Sequence, residues 1–313
     1  MQQYLFGIML LLCCFLWRAE AQEATETPDA TAPSPRIALT ANGNHLPDIF
    51  VLDLVSGDWS RITQHPDSDA NPTWSPNGMQ IAFNSFRHGN EDIYIYNLET
   101  ETLQNITNSP DVNETVPRWS PDGDVLAFNS STGGKTPEIG LYDIETGRQQ
   151  RLTNNSFVDS NPSWLPDSRG LVFNSNRNGN SDIYTMNHNG TDVTAIIDTP
   201  VNEFAPVYAP DGRYLAYVVA ANTTRIVLYD TQGGDERVIS PLEFDSLQPI
   251  WSPDSQCVTY DVSLNGSLEA VYLYHLPTQE MMALPLSQQE VFGIVWTENA
   301  TCNDLLALLD IQP

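Results

Sequence analysis

Short apolar runs separated by polar turns fill most of this chain, and the runs recur in sets. One run, Ile81-Ala82-Phe83-Asn84, returns as Leu126-Ala127-Phe128-Asn129, Leu171-Val172-Phe173-Asn174 and Leu215-Ala216-Tyr217-Val218. Another, Asp92-Ile93-Tyr94-Ile95-Tyr96, has counterparts at 139–143, 183–187, 226–230 and 271–275. Runs this short, rich in β-branched and aromatic residues and bounded by Gly, Pro, Asn and Asp, predict strands. Their consecutive apolar positions predict sheets packed on both faces.

An aromatic anchor and a turn of the type Ser-Pro-Asp-Gly precede each set. The anchors are Trp74, Trp119, Trp164, Tyr208, Trp251 and Trp296, and they step by 45, 45, 44, 43 and 45 residues. A period in the forties with several strands per unit predicts a β-propeller. Within a unit, the first strand ends at the anchor and the turn follows, with Pro pre-setting φ and Gly accepting the positive φ after it. The second and third strands are the two runs above. A short fourth, Asn105-Ile106-Thr107 or Arg151-Leu152-Thr153, forms the outer edge. The anchors are expected to be structural, inter-blade core.

Counting each strand type separately gives the architecture. The third strand occurs six times, starting with Ile49-Phe50-Val51-Leu52-Asp53; the anchor strand also occurs six times, but from Trp74 to Trp296. Residues 36–63 therefore carry strands two to four of a blade, and residues 293–298 supply a first strand. We expect an all-β fold, a six-bladed propeller over 36–313, closed by the C-terminal strand completing the N-terminal blade. Closure of this kind removes free sheet edges. The apolar tail 305–311 would either extend the closing blade or cap one face.

The N-terminus changes the picture of location. Residues 5–17 are almost wholly apolar, too few to span a bilayer but suited to a signal-peptide core, although no Lys or Arg precedes them. Ala19 and Ala21 supply the small residues of a cleavage site, so we read 1–21 as a signal peptide cut after Ala21. Residues 22–35 read as a disordered Pro/Thr-rich spacer. The chain is then secreted or periplasmic, with no membrane insertion after cleavage. Cys13 and Cys14 would be lost, leaving Cys257 and Cys302, each six residues after its anchor. A disulfide between them and two isolated thiols both remain open readings.

Charge narrows the partners. Thirteen basic and forty acidic side chains give a formal charge of −27. Such a field repels nucleic acid and anionic lipid, and it favours a basic protein or peptide, or cations; it also serves simple solubility. Five residues ahead of the first four anchors stand Asp69, Glu114, Asp159 and Glu203, and the carboxylate slips one place to Asp245 and Glu290 in the next two units. If the anchor strand is innermost, these six would ring one channel mouth and form a binding site for a divalent cation or a basic segment. The other reading is that they accept backbone N–H groups and tie blades together. Arg87 with Asp92, and Arg177 with Asp182, are expected to bond across hairpin turns. The five histidines show no metal-ligand spacing, no metal set can be assembled, and no Gly-rich phosphate loop or catalytic constellation is recognisable. No cofactor is expected beyond that divalent cation.

The unit Pro-x-Trp-Ser-Pro-Asp-Gly followed by Ile-Ala-Phe-x-Ser-x-Arg-x-Gly-Asn-x-Asp-Ile-Tyr, best kept over 74–94 and 164–184, resembles the repeat of TolB-type propellers, also called WD40-like or PD40 repeats. The resemblance covers about 36–300. It implies the propeller fold, and it is a resemblance to the propeller alone, without the mixed α/β domain that precedes it in TolB. Related propellers precede α/β-hydrolase domains, but no Gly-x-Ser-x-Gly elbow occurs here. The expectation is a monomeric, non-catalytic protein-binding or scaffold module working through one face or the acidic channel mouth. The alternative is a polysaccharide lyase or hydrolase with a divalent cation in the central channel.

Overall fold

The computed structural model describes residues 33–42, 46–133, 135–286 and 291–311. The expected signal peptide, most of the spacer and Glu290 lie outside the described residues. Strands β1 (Arg36–Asn42), β2 (Pro47–Asp53) and β3 (Trp59–Arg61) come first. Blade 2 follows as β4 (Asp69–Trp74), β5 (Gln80–Ser85), β6 (Asp92–Asn97) and β7 (Thr102–Asn105). Blade 3 is β8 (Val112–Trp119), β9 (Val125–Thr132), β10 (Glu138–Asp143) and β11 (Gln149–Arg151). Blade 4 is β12 (Asp159–Trp164), β13 (Gly170–Ser175), β14 (Asp182–Asn187) and β15 (Thr194–Ile197). Blade 5 is β16 (Asn202–Tyr208), β17 (Tyr214–Ala220), β18 (Thr224–Asp230) and β19 (Glu236–Val238). Blade 6 is β20 (Asp245–Trp251), β21 (Cys257–Leu264), β22 (Ser267–His275) and β23 (Glu280–Ala283), after which come β24 (Val291–Trp296) and helix α1 (Cys302–Leu308).

The expected closure is present. The sheet order β24-β1-β2-β3 makes blade 1 from both ends of the chain, so six four-stranded antiparallel sheets form the ring. Ile37 faces Trp296 and Ala38 faces Val295 across the junction. Arg36 and Thr297 lock its end: the Arg36 N–H donates to Thr297 Oγ1 at 2.9 Å, and the Thr297 N–H donates to the Arg36 carbonyl at 2.9 Å.

Alternation along the second strand explains the packing. Ile81 and Phe83 join Trp74 in one apolar cluster, while Ala82, between them, joins Trp119 in the next. Each sheet therefore buries both faces, and the core is six inter-blade layers, each with its own anchor aromatic. Four anchors, Trp74, Trp164, Trp251 and Trp296, are only 5–7% exposed. Burying about 200 Å² of indole is worth about 5 kcal/mol, which makes these residues structural first.

Two local features differ from expectation. The fourth strands lie two or three residues earlier, at β7 and β11, because Thr107 and Thr153 leave the ladder to accept the N–H groups of Ile93 and Ile139 on their hydroxyls, each at 2.9 Å. The predicted positive φ is held by Gly78, Gly123 and Gly212, but in two turns by Ser168 (φ 59°) and Ser255 (φ 58°). Those hydroxyls accept the N–H groups of Asp122 and Asp211 from the preceding blades at 3.2 and 3.1 Å, a turn-to-turn link Gly cannot make.

The apolar tail is helical. Thr301 and Asp304 form a reciprocal capping box at the start of α1, and Leu305 and Leu306 are buried against the seam between blades 6 and 1.

Candidate functional site in the central channel

Every inner strand bends at the same place. The residue three before each anchor has a left-handed backbone: Asn71, Val116, Asn161, Ala205, Gln248 and Gly293, with φ between 51° and 64°. Pro follows it in five of the six, which disfavours the right-handed helical conformation at the bend. The pairing register shifts there in each blade, a β-bulge that re-aims the rest of the strand. The bend is tied to the neighbouring blade: the N–H of Asn161 donates to Asn129 Oδ1 at 2.8 Å, and that of Gly293 to Asp261 Oδ1 at 3.1 Å.

Beyond the bulge, the inner strands enclose a cavity of about 620 Å³. Its wall is made by the bulge residues, the residues just ahead of the anchors, the edges of the anchors themselves and the turn prolines Pro76, Pro121, Pro166, Pro210 and Pro253. The size falls within the range of ligand pockets. The anchors thus serve twice, as inter-blade core and as one edge of the wall. Asp122, Asp167 and Asp211 stand exposed on the turns just outside, and Glu298 takes the place of the sixth proline.

The wall has two sides. Immediately ahead of the anchors, three consecutive blades place Thr73, Arg118 and Ser163, and the next three place Val207, Ile250 and Val295. Arg118 is the one cation among the lining residues, with Glu298 as the one lining carboxylate. Arg118 is half-buried in this wall, and partial desolvation lowers the pKa of its guanidinium to about 10. Its Nη1 donates to the Pro117 carbonyl at 3.0 Å. Sequence reasoning missed this residue; the signal was the column of residues one before each anchor, compared across repeats.

The carboxylates of the expected ring sit at the other end of the inner strands, about 17 Å from the anchors at strand rise. Asp69, Glu114, Asp159 and Glu203 are at most 2% exposed. The backbone N–H groups of Glu114, Asp159 and Glu203 donate to carbonyls of the preceding blade, at 2.7, 3.0 and 2.7 Å. Arg87 reaches both oxygens of Asp69 at 2.8 and 2.9 Å, and Arg177 reaches Asp159 at 2.9 Å. These pairs replace the expected Arg87–Asp92 and Arg177–Asp182 bonds; Asp92 instead accepts from Asn90, Asn105 and the Ser109 N–H. Glu114 has no Arg partner, and burial raises its carboxyl to about 7. Glu203 accepts from Thr199 Oγ1. Asp245, half-buried, accepts from the Thr224 N–H of the preceding blade at 2.8 Å.

Cys257 and Cys302 form a disulfide with a Cα separation of 5.7 Å. His275 lies beside it and with the two sulfurs makes the one Cys/His/carboxylate grouping of metal-site dimensions among the described residues. The disulfide consumes both thiols, and His275 Nδ1 is engaged with Thr278 Oγ1 at 2.9 Å.

The family model for the TolB beta propeller domain matches residues 19–116 and 72–299. The chain belongs to the TolB β-propeller family. Its structure is similar to that of TolB from Acinetobacter baumannii, with a TM-score of 0.74 at 26% identity, over 84% of this chain and 66% of that one. Over 85 residues it is 28% identical to the Tol-Pal system protein TolB of Gluconobacter oxydans (strain 621H), a match spanning 27% of this chain and 19% of that protein. An oligogalacturonate lyase in complex with manganese shares the fold, with a TM-score of 0.60 at 13% identity, over 80% of this chain and 73% of the lyase. The chain therefore spans less than two thirds of either of these two TolB proteins. No described helix is long and apolar enough to cross a membrane.

Proposed function

We propose that this chain is an exported, non-catalytic propeller that binds a protein partner at the anchor end of its channel. The observation carrying this reading is the cavity of about 620 Å³ ringed by aromatic and proline side chains. Proline and aromatic rings offer rigid apolar surface at low entropic cost, as interface anchors do. Asp122, Asp167, Asp211 and Glu298 around the opening favour a partner segment with basic residues. Family membership and the likeness to TolB support both the binding role and a secreted or periplasmic location. A monomer suffices, since the ring closes on itself.

Charge reversal tests the proposal. Replacing Asp122, Asp167 and Asp211 with Lys should abolish capture of the partner from the envelope or secreted fraction of the native cells. Capture of the same proteins by the wild-type and charge-reversed rings would place the binding surface elsewhere.

A further inference from the structure

Arg118 is the one cation in the channel wall, and among the described residues no carboxylate is paired with it. Drawing a guanidinium even partly out of water without a countercharge is costly, and such groups are normally paired with carboxylates. Among the described residues, none of the ion pairs involves Arg118, and the bond from Arg118 is to its own neighbour's carbonyl. Desolvation depresses its pKa without any compensating charge. The opposite wall is apolar, formed by Val207, Ile250 and Val295, so the cavity matches a ligand with an anionic head beside an apolar body.

Building on the reading of this cavity as a protein-binding site, we propose that it seats the free C-terminus of a partner protein. The terminal carboxylate pairs with Arg118, and an apolar last side chain lies on the Val207–Ile250–Val295 wall. The planar guanidinium fork suits a carboxylate. A chain end is one strand thick and can enter the channel, whereas a loop presenting Asp or Glu must thread two strands through the same opening. Asn71, Asn161 and Gln248 line the bulge tier of the wall. The acidic opening then meets basic residues upstream of the terminus, so the partner tail is basic first and apolar last. An inorganic or phosphoryl dianion lacks the apolar body and is repelled more strongly by the opening.

Fluorescence anisotropy with labelled octapeptides tests this, using a tail with Lys upstream and a final Leu as either free acid or C-terminal amide. We expect the acid to bind on the order of 10- to 100-fold more tightly than the amide. Arg118→Gln should bring the acid down to the level of the amide, and Arg118→Lys should restore part of the difference. Replacing the final Leu with Ser should weaken the acid further. If Arg118→Gln fails to fold by circular dichroism, the acid–amide comparison on the native ring decides alone. Equal binding of acid and amide, no binding of either, or displacement of the peptide by inorganic phosphate at equal charge would each overturn the carboxylate assignment. Equal binding that is lost in the Asp122/Asp167/Asp211 lysine variant overturns this inference while leaving the protein-binding reading standing.

Discussion

Nη2 of Arg87 lies 2.8 and 2.9 Å from the two oxygens of Asp69, a carboxylate fully closed to solvent at the start of an inner strand. The guanidinium also stacks 4.6 Å from the centroid of the Tyr94 ring, and its Nε donates to Ser85 Oγ at 2.8 Å. Blade 4 repeats the arrangement with Arg177, Asp159, Tyr184 and Ser175. Removing one partner of a buried pair strands the other's charge. Arg87→Ala should cost about 3–5 kcal/mol, and Arg177→Ala a similar amount, read as a lowered urea midpoint at constant m. Unchanged midpoints would show that water reaches these carboxylates.

Val116 holds a left-handed backbone (φ 53°) that β-branched residues avoid, whereas Asn occupies the same place in blades 2 and 4. There, Asn71 and Asn161 donate to Asn84 and Asn174, each at 2.9 Å. Val116→Asn should relieve the strain and gain a matching bond to Asn129. A stabilisation of about 1 kcal/mol, seen as a higher melting temperature, is expected.

Two carboxyls, the buried Glu114 and the half-buried Asp261, give the fold a pH dependence of definite sign. Burial raises Glu114 from 4.5 and Asp261 from 3.8, each to about 7. Between those limits the folded chain holds protons the unfolded chain has released, so their contribution is full below about pH 4 and is lost as pH rises through about 7. Asp261→Asn keeps an oxygen for the Gly293 N–H and restores the Asn of blades 2 to 4. It should raise stability at pH 8 by on the order of 2 kcal/mol, and much less at pH 4, in melts across that range.

The disulfide closes a separation of 45 residues and pins the start of α1 to blade 6. Cys302→Ser should lower stability by about 2–4 kcal/mol. Hydrogen exchange should speed up first in α1 and then across the seam between blades 6 and 1. Protection unchanged in α1 would mean that Leu305 and Leu306 hold the helix alone.

Phase-keeping repeats made the ring legible in the sequence, because the Trp-Ser-Pro-Asp-Gly units fix the blades and their offset at the termini fixes the closure. The channel was harder to read for a geometric reason. In a straight strand, positions five and one before an anchor share a face, so Asp69 and Thr73 would both point to the axis. The bulge at Asn71 breaks that parity, leaving Thr73 on the cavity and Asp69 off it, bonded to Arg87 of its own blade. The Pro that follows the bend in five of the six strands marks the place but not the left-handed backbone, since Asn, Val, Ala, Gln and Gly all adopt it there. Arg87 choosing Asp69, 18 residues away, over nearby Asp92 is likewise a product of the folded sheet.

Blade 1 sets the timing of folding. Arg36 meets Thr297 across a separation of 261 residues, so β1 is made before the other described strands and pairs with the last of them. Until β24 arrives, five blades can stack as an open arc whose first strand offers unpaired backbone to any passing chain. Whatever shelters that edge during synthesis and transit governs the yield of native rings, and a chain cut short before Val291 stays an arc.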